Sequence, residues 1–191
     1  MAEKSWETLE GACLSCHKCR LAEMRTNVVI GKGNRNADIL FIGEGPGQQE
    51  DLQGLPFVGP AGQLLDKMLA SVGLSMDDVY IGNVVKCRPP GNRDPHEDEK
   101  EACLNFLRYQ LMLIQPKIIV CLGRIAAQRM IRQDFKITKE HVTGAQRRTD
   151  KYNADNYRYL CTDFKKKGGF LQKNHRKKAE QLDFSGFTGY F

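Results

Sequence analysis

The sequence predicts an α/β fold, a three-layer sandwich around a central, mostly parallel, four-stranded sheet. Residues 37–43 and 117–123 are almost continuously apolar, as strands buried on both faces of a parallel sheet are. Strand, glycine-bearing turn and helix recur three times along the chain, which argues for right-handed crossovers between parallel strands. Composition agrees: 41% apolar residues, and 18 glycines against 7 prolines, suit many tight turns rather than a fibrous or disordered chain.

Taken in order, residues 6–25 mix polar side chains with Leu9, Ala12, Leu14, Leu21, Ala22 and Met24 and read as two short helical pieces around cysteines. Asn27-Val28-Val29-Ile30 reads as a short strand, ended by the turn Gly31-Lys32-Gly33-Asn34. The strand at 37–43 leads into the loop Glu44-Gly45-Pro46-Gly47-Gln48-Gln49-Glu50-Asp51. Residues 62–72 place Leu64, Leu65, Met68, Leu69 and Val72 at helical spacing and predict a surface helix. After a strand at 79–85, Pro95-His96-Glu97-Asp98-Glu99-Lys100 begins a helix, with proline and acids in the first turn where free amides favour them. That helix carries Cys103, Phe106, Leu107 and Leu111 on one side. The strand at 117–123 precedes a small-residue helix at 124–131.

From Ile137 the pattern degrades. Residues 142–156 are polar, Tyr157-Arg158-Tyr159-Leu160-Cys161 reads as a strand, and 165–178 is basic and poorly cored. At 191 residues we expect a single domain, 1–191, in which about 141–191 is a divergent, basic tail ordered only in part. Parallel sheets bind ligands beyond the carboxyl ends of their strands. Gly43-Glu44-Gly45, Asn83 and Gly123 fall at such ends and are expected to border one cleft.

The formal charge of +6 and a pI near 8.9 favour nucleic acid as a partner, although the last 50 residues, with eleven Lys or Arg against five Asp or Glu, supply the whole excess. The amino terminus lacks a basic stretch followed by an apolar one, and the longest apolar run, Ile118–Leu122, is far short of the roughly 20 residues of a membrane span. A cytoplasmic protein without a membrane partner is expected. Seven cysteines are an odd number, so a disulfide framework is not expected and metal ligation leads.

Cys13, Cys16 and Cys19 precede a long gap, Cys87 and Cys103 follow, and Cys121 and Cys161 lie within expected strands. A Cys-x-x-Cys pair sets two thiolates about one turn apart, and two later thiolates complete a four-sulfur set. Redox chemistry by a close pair, or simple burial as small apolar groups, are the alternatives. Spacing does not separate zinc from iron-sulfur, because both accept four thiolates.

Several segments together resemble the iron-sulfur, thermostable-type (family 4) uracil-DNA glycosylases. They are Cys16-His17-Lys18-Cys19-Arg20-Leu21 with Arg25-Thr26-Asn27, Gly43-Glu44-Gly45-Pro46-Gly47 with Glu50-Asp51, and Gly54-x-Pro56-Phe57-Val58-Gly59-x-Ala61-Gly62. The most specific piece is Tyr80-Ile81-Gly82-Asn83-Val84-Val85-Lys86-Cys87-Arg88-Pro89-Pro90 with Asn92-Arg93. Cys103 and Leu122-Gly123-Arg124 extend the likeness, which covers roughly residues 10–135. It implies a uracil-DNA glycosylase fold and a four-iron four-sulfur cluster held by Cys16, Cys19, Cys87 and Cys103, with Cys13 spare. It also implies hydrolysis of uracil from DNA by a monomer acting on uracil-containing DNA.

The resemblance further implies roles. Phe57 stacks on the flipped base, and Asn83 pairs with the uracil edge through one donor and one acceptor. Each has a plain alternative, a core phenylalanine and a turn asparagine. Glu44 contacts or orients the water, and the backbone of Gly45, Pro46 and Gly47 approaches sugar and base. Gly45 stands where other uracil glycosylases carry a water-activating aspartate, so catalysis rests mainly on stabilising the departing anion and the oxocarbenium-like sugar. A dinucleotide-binding loop at 43–47 is disfavoured because the third glycine of that fingerprint is absent.

The family's His-Pro motif near the carboxyl end is also absent; His141 and His175 are the candidates in its place. The alternative is therefore a catalytically impaired uracil-DNA-binding protein. The basic runs 165–167 and 176–178 meet phosphates or form a solvated face, and Lys86, Arg88 and Arg93 are expected to face the DNA backbone.

Overall fold

A computed structural model of the chain describes residues 5–136 and 158–162. The sheet has the order β1-β3-β2-β4-β5, with β1 at Lys32–Gly33, β2 at Ile39–Gly43, β3 at Val79–Asn83, β4 at Ile118–Leu122 and β5 at Arg158–Thr162. The four longer strands run parallel, as the apolar runs predict; β1 adds a two-residue antiparallel edge. The expected strand at 157–161 is present as β5.

Alternation along the strands divides the core. Leu40, Ile42, Tyr80, Ile119 and Cys121 face helices α1 (Trp6–Leu14), α5 (Glu97–Ile114) and α6 (Arg124–Met130) through Leu9, Phe106, Leu107, Ala126 and Ala127. Ile39, Phe41, Val79, Ile81, Ile118, Val120 and Leu122 face the opposite way, onto Leu65 and Leu69 of α4 (Pro60–Ser71). Each fully buried isoleucine or leucine contributes about 2 kcal/mol, and two such layers on one sheet give the three-layer sandwich. Among the described residues, no helix is long and apolar enough to cross a membrane.

One strand is misplaced by the sequence reading. Asn27-Val28-Val29-Ile30 is not a strand, and the short β1 lies in what reads as the following turn. The polar groups of 27–30 are taken elsewhere: the Asn27 amide N–H donates to Asp51 Oδ1, its side chain donates to the Asp51 and Leu52 carbonyls, and Val29 N–H donates to the Lys86 carbonyl. With those groups bound to a helix end and a loop, no ladder forms. The two helical pieces around the cysteines are α1 and the single turn α2 (Leu21–Met24).

Candidate active site

The carboxyl ends of β2 and β3 open into a cleft of about 250 Å³ lined by Glu44, Gly45, Pro46, Gly47, Glu50, Phe57, Ala61, Asn83, Pro89, Asn92 and Arg93. Every residue assigned by sequence to the base and sugar therefore lies in one place. Gly123, at the end of β4, is not among the lining residues.

Parallel pairing of β2 with β3 sets Gly43 beside Asn83. The absence of a side chain at Gly43 is required there: a Cβ would stand 2.5 Å from Asn83 Oδ1 and 2.7 Å from Phe57 Cζ. Gly43 thus lets an amide and an aromatic ring converge over bare backbone. Asn83 is only 1% exposed, and its Oδ1 has no hydrogen-bond partner among the described residues. An unpaired buried acceptor costs about 1–3 kcal/mol, so the position is set for a donor from beyond the described residues.

Phe57 is held in an uncommon conformation, with φ of +52°. Such a residue persists only where its neighbours fix it. The fixing group is Glu50, in the first turn of α3 (Gln48–Gln53). Its Oε1 accepts from Val58 N–H at 2.9 Å and Gly59 N–H at 2.7 Å, while Oε2 accepts from Gly47 N–H at 3.1 Å. One carboxylate thereby joins the loop after β2 to the loop bearing Phe57. Below it, Gly62 of α4 packs so closely that a Cβ would lie 1.9 Å from the Phe57 carbonyl oxygen. Asp51, 4% exposed, accepts from Thr26 and Asn27 N–H and ties the segment after the first cysteines to the same helix.

The rim at Arg93 is built by a second carboxylate. Arg93 donates to both oxygens of Glu99, at 2.9 and 2.7 Å, and Glu99 Oε2 accepts from His96 N–H at 2.7 Å at the start of α5. The Arg93 guanidinium, joined by the His96 amide and opposed by burial, holds the Glu99 carboxyl at about 2. Arg20, beside Cys19, also reaches Glu99 at 3.5 Å.

The cysteines form a second locus. Cys16, Cys19, Cys87 and Cys103 line one small cavity together with Cys13, Lys18, Arg25, Lys86 and Phe106. Arg25 donates to Cys87 Sγ at 3.2 Å and Lys86 N–H to Cys103 Sγ at 3.3 Å. Burial pushes the Cys13 thiol up to about 12 and Cys103 to about 11, and raises Cys87 as well. Among the described residues, no three His, Cys, Asp or Glu side chains converge as ligands of a single metal ion.

A model of the uracil DNA glycosylase superfamily matches residues 30–177. The chain belongs to that superfamily. Within it, the similarity is to type-4 members. The chain is 59% identical over 115 residues to the type-4 uracil-DNA glycosylase of Archaeoglobus fulgidus, covering 60% of this chain and 58% of that protein. It is 54% identical over 121 residues to that of Sulfurisphaera tokodaii (63% and 55%) and 49% identical over 124 residues to that of Thermotoga maritima (65% of each). The chain thus spans less than two thirds of the length of each of these three relatives.

Two expectations about this superfamily member need revision or lie out of reach. Lys86, expected to face DNA, is 1% exposed and points inward, because its ammonium donates to the Asn83 carbonyl at 2.8 Å and to Gln110 Oε1 at 2.5 Å. Arg88 and Arg93 do reach the surface. His141, His175 and the basic runs 165–167 and 176–178 lie outside the described residues. The sequence reading assigns no structural role to Glu50 or Gln110, and it places Glu99 only among the first-turn acids of a helix, without its partner Arg93. For Glu50 a signal exists, an acid three residues after a helix cap.

Proposed function

We propose that the chain hydrolyses the N-glycosidic bond of uracil in DNA, releasing free uracil and leaving an abasic site. The observation that supports this is the buried Asn83 Oδ1, unpaired among the described residues, facing Phe57 across bare Gly43 backbone. Uracil offers that oxygen its N3–H and accepts from the Asn83 amide through O4, while its ring face stacks on Phe57. Cytosine presents the opposite donor and acceptor order on that edge. A duplex base reaches such a cleft only by leaving the stack, which makes single-stranded or mispaired uracil the least costly substrate.

In the reaction, water adds to the sugar C1′, the bond from C1′ to the base nitrogen breaks, and uracil departs as an anion that then takes up a proton. Asn83 stabilises the charge developing on the base, as a donor aimed at O4. Glu44 and the backbone of Gly45, at the mouth of the cleft, orient the water, and Pro46 and Gly47 shape the wall beside the sugar. Arg88 supplies positive charge at the surface for phosphate contact, while the Arg93 charge is balanced by Glu99.

The cysteine locus fits a four-iron four-sulfur cluster held by Cys16, Cys19, Cys87 and Cys103. Four thiols from three separate segments surround one cavity, and N–H donors address two of the sulfurs. Their thiolates would hold the group from around the cavity, without the convergence on one point that a single metal ion needs. When bound, the cluster acts as a staple between the amino-terminal segment, the loop after β3 and α5. The same reading makes the protein a single-domain, cytoplasmic monomer.

The test is release of free uracil from a labelled oligonucleotide by purified protein. We expect brown protein with iron and sulfide in equal amounts, and release that disappears in Asn83→Ala. No release at stoichiometric, cluster-loaded protein would refute the activity. Colourless protein holding zinc would refute the cluster.

A further inference from the structure

Between Asn83 and Cys87 the chain runs directly from the base pocket to the cysteine cavity, and Lys86 lines the cavity while hydrogen-bonding the backbone of Asn83, which lines the pocket. Its N–H donates to Cys103 Sγ at 3.3 Å, and its carbonyl accepts from Val29 N–H at 2.8 Å, so its backbone is fixed at the cavity wall. Its side chain folds back beneath β3, where the ammonium donates to the Asn83 carbonyl at 2.8 Å and to Gln110 Oε1 at 2.5 Å. Gln110, also 1% exposed, is itself held by donation to the Ile30 carbonyl at 2.9 Å and to Tyr80 Oη at 3.4 Å. A methionine would fill the same space without the cost of burying an amine. What distinguishes lysine here is its hydrogen bonding to Asn83, whose Oδ1 has no partner among the described residues.

We propose that Lys86 is the positioning residue that couples the base pocket to the cysteine cavity, clamping the Asn83 carbonyl with its side chain while its backbone is anchored on Cys103. This rests on the uracil-excision reading above. Clamping the Asn83 peptide fixes the direction in which its side chain leaves the strand, and hence which amide atom meets which base atom. Uracil and cytosine differ by exchange of donor and acceptor on that edge, so their discrimination depends on the clamp.

The test compares the cluster-loaded parent with Lys86→Met in binding oligonucleotides that carry deoxyuridine or deoxycytidine on a fluorinated, hydrolysis-resistant sugar. We expect the variant to keep its iron and sulfide, and its preference for uracil over cytosine to fall about tenfold, the worth of one hydrogen bond near 1.4 kcal/mol. In excision, kcat falls while KM for DNA stays near the parent value. A lysine that served stability alone would lower the melting temperature and leave the uracil-to-cytosine ratio intact; that result in a folded variant overturns the coupling. Should Lys86→Met fail to fold, Gln110→Leu removes the second acceptor of the ammonium and is expected to reduce the ratio about threefold. An unchanged ratio there overturns the proposal equally. A parent protein with no preference for uracil would overturn the proposed function and the coupling with it, a result distinct from a discriminating parent matched by its variant.

Discussion

Replacing Asn83 with leucine should damage function and leave the fold as stable as before or more so. The side chain is 1% exposed and its Oδ1 lacks a partner among the described residues. Removing an unpaired buried acceptor relieves about 1–3 kcal/mol. Leucine is slightly larger, and the approach to Gly43 is close, which costs about 1 kcal/mol of crowding. The balance is a gain of about 0–2 kcal/mol in stability. For the substrate the change has the opposite sign. Uracil loses two hydrogen bonds, and its N3–H and O4 are left facing methyl groups, a loss of about 4 kcal/mol or roughly a thousandfold in kcat/KM. Melting of the cluster-loaded protein, followed by fluorescence of its single tryptophan, Trp6, gives the first quantity. Initial rates of uracil release give the second. Excision within about tenfold of the parent, or destabilisation beyond about 1 kcal/mol, would refute the reasoning.

Other consequences can be measured in the same preparations. Glu50→Ala deprives three backbone N–H groups of a charged acceptor and frees the Phe57 loop; we expect a loss of about 3 kcal/mol in stability and a raised KM, both measurable from melts and steady-state rates. Gly43→Ala drives a methyl into Asn83 Oδ1 and the Phe57 ring, and fluorescence titration should find uracil-DNA binding lost while iron content is retained. Glu99 is held at about 2 against 4.5 for the free carboxyl, so its stabilisation is complete above pH 4.5 and disappears as pH falls through about 2. Glu99→Gln should therefore be less stable at neutral pH, by about 2 kcal/mol, and should lose less stability than the parent when acid melts are compared across that window.

The fold was legible where burial dictated sequence. β2 and β4 are covered on both faces, which forces continuous apolar runs, and α4 and α5 carry their helical stripes openly. The two-residue β1 has no such signature, and the β-branched pair Val28-Val29 suggested a strand where the backbone instead serves Asp51 and Lys86. At the cleft, Asn83, Phe57 and the 44–47 loop were found through resemblance and strand-end position. Lys86 is buried although a lysine beside the cysteine segment, grouped with Arg88 and Arg93, reads as surface; its partners, the Asn83 carbonyl and Gln110, are brought near only by folding. Glu99 was visible as a first-turn acid, but its pairing with Arg93 belongs to the turn at Pro90–Asn92, which local pattern does not reveal.

The cavity walled by cysteines from α1 through α5 also imposes an order on biosynthesis. The chain leaves the ribosome from its amino end, so Cys16 and Cys19 emerge while α5 is still untranslated. Until then Leu9 and Cys13 have no apolar face to cover them, and the Cys16–Cys19 pair stands open to any thiophilic ion it meets. A nascent chain halted before Cys103 would expose that pair without the later thiol of α5. Under the proposed cluster, the four thiolates become available together only after the ribosome has passed Cys103.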